Sequence, residues 1–334
     1  MTTLHTRSGA LITLTIGFAL LVLLAVLSLS IGKTYIAPGD VLGALFKPDP
    51  LDIDHILVNT TRLSRMTVAI AVGACLAVAG GLMQAVTRNP LASPGLFGIN
   101  AGAVFSIVLL APLFGSTTLT QFMVLAFAGA AVAGTLVYCI GMLGSRSPFR
   151  IVLAGAAVTA LFASFTQALL VISQEGLDSI LFWMAGSVAG REMDAVLTIY
   201  PYLLIGFAAS FVLARHINIL VTGDDIARGL GQNTFVIRSL LSIIIILLAG
   251  GAVSLAGNIG FIGLIVPHIV RRILPGDFRW LLAGYAVFGA LLLLLADIVA
   301  RVVLIPQEVP IGVVTALLGA PFFIHMARKG MRNG

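Results

Sequence analysis

Charge is what this sequence lacks. Lys, Arg, Asp and Glu make up 10% of 334 residues, hydrophobic residues 59%, and the mean hydropathy is +1.11. A soluble globular domain carries about 25% charged residues. A chain this poor in charge cannot cover a water-facing surface, so lipid must solvate much of it. Cysteine is nearly absent too. Cys75 and Cys139 each sit inside a long apolar run without neighbouring ligands, and they read as small hydrophobes rather than a disulfide or a metal site. There is no GxxxxGK[ST] phosphate loop, no HExxH, no CxxC and no nucleophile–base set, so no catalytic residue is assigned and the chain cannot bind ATP in the P-loop manner. The net charge of +6 is scattered in pairs and singles between apolar runs, a pattern of membrane topology rather than of nucleic-acid binding.

What the sequence does have is long apolar runs. A helix crosses a bilayer core with about 20 residues. Ten candidate spans meet or approach that length: 10–31, 66–86, 97–114, 119–143, 151–172, 196–214, 238–257, 259–273, 280–304 and 311–327. The third and eighth are short or interrupted. The runs are continuous rather than alternating, which excludes a β-barrel. The first is longer than the apolar region of a signal peptide and reads as a retained helix. The expected fold is therefore all-α, one polytopic domain over 1–334. With the N-terminus inside, thirteen Lys and Arg fall on the cytoplasmic side, from Arg7 to Arg332. Six fall outside: Lys33, Lys47, Arg62, Arg65, Arg191 and Arg301. That asymmetry places both termini in the cytoplasm.

Several segments break the apolar pattern. "GFIGLIVPHIVRR" (260–272) carries Pro267 and His268 inside a short span that stops on Arg271 and Arg272. Proline removes a backbone donor, and in lipid the freed carbonyl needs a partner within the protein. The segment is expected to pack deep in the bundle, with Pro267 and His268 as architecture. "TRNPLASPGLFGIN" (87–100) reads as a tight cytoplasmic turn feeding a short helix, and "FWMAGSVAGRE" (182–192) as an outer, small-residue segment that permits close backbone approach. "GACLAVAGG" (73–81) and "AGGAVSLAGNIG" (249–260) are faintly alike and hint at an internal repeat. The cytoplasmic stretch 215–238 should hold a short helix over about 224–230. Thr222 and Asp225 have capping-box spacing, Asp224 and Asp225 suit the helix start, and Gly231 suits its end.

Acids within the spans are almost missing. Asp297, in "LLLLLADIVAR", is the clear one, and Arg301 lies one helical turn on as its local ion-pair partner. One acid makes a poor ion relay. An energy source outside the chain fits better than ion-coupled transport.

"RLSR" (62–65), "GACLAVAGGLMQAVTRNPLASPGLFGINAGA" (73–103), "FWMAGSVAG" (182–190), "GDDIARGLG" (223–231), "AGNIGFIGLIVPHIVRR" (256–272), "LLADIVAR" (294–301) and "EVPIGVVTALLGAPFFI" (308–324) resemble the FecCD-type permease subunits of iron–siderophore, haem and cobalamin ABC importers. The wording is most similar to ferric-siderophore permeases. The resemblance implies the type II importer permease fold of ten helices and a second permease subunit, identical or related. It also implies two cytoplasmic ATPase subunits holding ATP and Mg, and an extracytoplasmic substrate-binding protein. No cofactor or metal is implied in this chain. Asp224, Asp225, Ala227, Gly229, Leu230 and Gly231 match the family's ATPase-coupling segment. Arg62, Arg65 and Arg301 match arginines presented to the binding protein. Gln84, Asn89, Ser164, Gln167, Trp183 and Ser187 are the expected path-facing positions. The chain reads RLSR where many members read RLPR, so the start of the second span lacks a proline. The alternatives are a haem or cobalamin permease of the same family, an ion-coupled transporter, or a membrane scaffold without transport.

Overall fold

The computed structural model describes residues 7–114, 118–142, 148–172, 184–305 and 307–332, and no strand occurs among them. The described residues form fourteen α-helices in order: α1 (Arg7–Ser30), α2 (Pro38–Phe46), α3 (Ile53–Leu57), α4 (Leu63–Thr87), α5 (Ile99–Leu110), α6 (Leu119–Met142), α7 (Pro148–Ile172), α8 (Met193–Val212), α9 (Ala214–Val221), α10 (Asp224–Gly229), α11 (Thr234–Ala256), α12 (Ile262–Ile273), α13 (Phe278–Val302) and α14 (Ile311–Arg332). Among the described residues, seven helices are long and apolar enough to cross a membrane. The three remaining expected spans are α5, α12 and α14, whose helical or apolar stretches are shorter.

α4 is the centre of the bundle. Every residue from Val72 to Thr87 is buried, against α13, α11 and α12. Small residues permit this. A Cβ on Gly73 would overlap the Gly289 carbonyl of α13, and one on Gly80 would overlap the Gly263 carbonyl of α12. Backbones this close gain dispersion contacts that larger residues would prevent. α1, in contrast, turns Leu11, Ile12, Ile16, Phe18, Leu20 and Leu23 outward. In a membrane that face meets lipid, where apolar exposure is no penalty.

The RLSR sequence has a visible consequence. With no proline to stop it, helix runs from α3 through a π-helical turn, Val58–Arg62, straight into α4. Ser64 instead donates its hydroxyl to the Arg191 carbonyl. The connection between α1 and α4 also holds α2 and α3, for which the sequence carries no helix signal. Val41 and Ala44 of α2 pack on Leu29, Ile36 and Val58, and Asp52 caps α3 by accepting from the Asp54 N–H at 2.9 Å.

Pro267 lies inside α12 and is buried. Its missing N–H frees the Gly263 carbonyl one turn earlier. Gln84 of α4 supplies the replacement donor, Nε2 to Gly263 O at 3.4 Å. Gln84, one of the expected path-facing positions, is 3% exposed here, between α4 and α12. The His268 ring meets Phe322 of α14 edge-on at a centroid distance of 5.6 Å. A Gln84→Leu variant keeps the volume but leaves that carbonyl unpaired, so it should lose about 1–3 kcal/mol of stability. A melting temperature in detergent equal to the parent's would contradict the assignment.

Candidate functional site

The bundle has two ends, each tied by a cluster of charged side chains. At one end the chain leaves α4 through Arg88, which adopts a left-handed conformation (φ 50°). Its guanidinium reaches Asp224 at 2.5 Å, and Arg238 of α11 reaches the same carboxylate at 2.8 Å. Asp224 therefore fastens the first turn of α10 to both α4 and α11. Beside it, the Asn218 amide donates to Asp277 Oδ1 at 2.8 Å, and Asp277 caps α13 through the Arg279 N–H. Burial raises the Asp277 carboxyl. The Arg279 N–H, the Asn218 amide and the charges of Arg279 and Arg7 outweigh it and hold the group below the usual carboxylate range. α1 thus starts at this same end.

α10 ends in a Schellman motif. The Gln232 N–H donates to the Ala227 carbonyl and the Gly231 N–H to Arg228, both at 2.9 Å, with Gly231 at φ 78°. The expected capping box is not formed. The cap is Gly223 (φ 129°), and the Thr222 hydroxyl donates to the Ile219 carbonyl of α9 instead. The reason is α9, which the sequence reading missed and which occupies Thr222 at its C-terminus. Of the expected coupling residues, Asp224 is held by the bundle and Ala227 is buried, whereas Asp225, Gly229, Leu230 and Gly231 are exposed. Ile226 and Leu230 present apolar side chains outward at 56% and 66% exposure. Ile226, Arg88 and Arg238 were not singled out in the sequence; they are ordinary residue types with no local signature.

At the other end Asp297, fully buried, accepts from Arg65 Nε at 3.0 Å and Nη2 at 2.8 Å and pairs with Arg301. Arg65 Nη1 continues to Glu308 at 2.7 Å. The remaining donors close the end of α1. Arg301 donates to the Ser28 and Ile31 carbonyls, and Arg62 to those of Leu29, Ser30 and Thr34. The last carbonyls of a helix lack partners of their own, and two guanidiniums provide them here. Arg62 and Arg301 are 5% and 3% exposed, so neither presents a surface charge in this conformation. Arg65, Asp297 and Glu308 instead line a cavity of about 540 Å³ together with Lys33 and Ser187.

Ser187 is buried there, its N–H donating to the Ala256 carbonyl at 2.8 Å. Asn89 builds a turn after α4, its Oδ1 accepting from the Leu91 N–H at 2.9 Å. Ser164 and Gln167 lie exposed on α7. Trp183 lies outside the described residues.

Residues 20–329 match the FecCD transport family. The chain belongs to that family. "Probable siderophore transport system permease protein YfiZ" of Bacillus subtilis is 46% identical over 84% of each chain. The Fe(3+)-citrate import system permease protein YfmD of the same organism is 43% identical over 91% of this chain and 90% of its own. The ferric enterobactin transport system permease protein FepD of Escherichia coli is 38% identical over 94% of each. A metal-chelate type ABC transporter solved in an inward-facing conformation superposes with a TM-score of 0.84, at 30% identity over 95% of this chain and 99% of that one. The FecCD-type permease fold and the multi-pass membrane class are thereby established for this chain.

Proposed function

We propose that this chain is the permease subunit of an ATP-driven importer that carries an iron(III)–siderophore complex across the bacterial cytoplasmic membrane. The observation that carries the reading is the family match over residues 20–329, with relatives named for siderophore, ferric citrate and ferric enterobactin transport. A second permease subunit completes the path, two cytoplasmic ATPase subunits bind ATP and Mg, and an extracytoplasmic binding protein delivers the chelate. Both termini are cytoplasmic. This orientation rests on the thirteen-to-six distribution of Lys and Arg.

In this arrangement α10 sits on the ATPase. Ile226 and Leu230 are its contact residues, and Asp224 transmits its displacement to α4 and α11. At the outer end, Arg65 and the cavity it lines receive the binding protein. Arg62 and Arg301 act there through the support they give α1, since their donors are already committed to its carbonyls. Purification from native membranes in mild detergent, with intact-mass identification of the complex, tests the proposal. An ABC ATPase is expected at one copy per permease. A chain that purifies alone and supports gradient-driven uptake would overturn it.

A further inference from the structure

α5 and α12 are 12 residues each, about 18 Å at 1.5 Å per residue, where a bilayer core is about 30 Å thick. Each begins partway through the bundle. Gly98, just before α5, lies against Val158 and Thr159 of α7, roughly 16 Å along that helix from its Pro148 end. Gly263, at the start of α12, lies against Leu76 and Gly80 of α4, roughly 10 to 16 Å from its Thr87 end. The non-helical backbone before α12 is thus at membrane depth.

Two residues after Gly98, the Asn100 amide donates to Asn258 Oδ1 at 2.5 Å. Asn258 follows the end of α11, whose Ala256 carbonyl accepts from Ser187 of the Arg65 cavity, so the pair lies between the middle of the bundle and that cavity. Asn258 is exposed and Asn100 partly so. Irregular backbone and exposed amides are tolerated at membrane depth only where protein covers them or water reaches them. We infer that Asn258 and Asn100 line the translocation path between its middle and the Arg65 cavity, with the Asn258 Nδ2 donors directed at the metal-coordinating oxygens of a passing ferric chelate. The inference rests on the importer reading and deepens it. A neutral amide pair suits this place. It offers hydrogen bonds to an oxygen-rich cargo without the charge that would hold it, and a conducting site must release what it binds.

The test is Asn258→Cys in a Cys139→Ser background, since Cys139 is exposed and Cys75 is fully buried. The permease, assembled with its ATPases in native membranes, is treated with a charged, membrane-impermeant thiosulfonate or with a lipophilic maleimide, and labelling is read by intact mass. The charged reagent should label Cys at position 258, and labelling should cut ferric-chelate uptake at least tenfold. Asn100→Cys carries the same test if the first variant does not assemble. Labelling by the maleimide alone, meaning a lipid face, overturns the inference. So does protection from both reagents, meaning cover by the second subunit. Uptake by the Cys139→Ser parent is scored separately. Its absence would count against the importer reading, while accessibility decides the path assignment.

Discussion

Replacing Asp297 by leucine is expected to remove most of the folded protein from the membrane. The carboxylate is fully buried, and it is the shared acceptor for Arg65 and Arg301. Leucine would leave two guanidiniums facing each other without that counterion. Removing one partner of a buried ion pair typically costs about 3–5 kcal/mol, because the remaining charge is stranded. Here the damage spreads. Arg301 also holds the Ser28 and Ile31 carbonyls, and Arg65 anchors the first turns of α4. Asp297→Leu should therefore lower both yield and melting temperature, read by fluorescence-detected size exclusion. Glu308→Gln is the internal comparison. Glu308 is partly exposed and, among the described residues, its carboxylate bonds Arg65, so its loss should be worth about 1 kcal/mol or less. Equal behaviour of the two variants would contradict this account of the node.

Asp224→Asn should separate ATP hydrolysis from uptake. Asp224 is the point at which α10 is fastened to Arg88 after α4 and to Arg238 of α11. Asparagine fills the same space and can accept one hydrogen bond, so the bundle should assemble. The two charge-assisted contacts weaken, and α10 can move without carrying α4 along. Uptake should fall at least tenfold while the assembled complex still hydrolyses ATP. Asp225→Asn, on the exposed side of the same turn, should leave the Arg88 and Arg238 contacts intact and act only through the ATPase surface. Normal coupled uptake by Asp224→Asn would remove the transmission role from this residue.

Much of the fold was legible because membrane spans leave a strong one-dimensional trace. All ten expected runs coincide with helices, and the two interrupted ones are the two 12-residue helices. α2, α3 and α9 were not legible. Their helicity depends on packing of a few apolar residues, such as Val41 and Ala44 under Ile36, or Ile217 and Leu220 against the bundle. The Asp297–Arg301 pair could be read from helical spacing, but Arg65 could not, since it approaches from 232 residues away. The partner of Gln84 is hidden from the sequence for the same reason. A polar residue in an apolar helix suggests a path, and only the crossing of α4 and α12 shows it answering the carbonyl freed by Pro267.

Reconstitution decides whether ATP drives iron uptake through this permease. The purified permease is placed in liposomes with its co-purifying ATPase, with ATP at the ATPase face and radioiron-loaded siderophore-binding protein at the other. Iron should accumulate only with both ATP hydrolysis and the binding protein, and accumulation should survive collapse of ion gradients. Accumulation that ignores ATP and disappears with the gradient would contradict ATP-driven import.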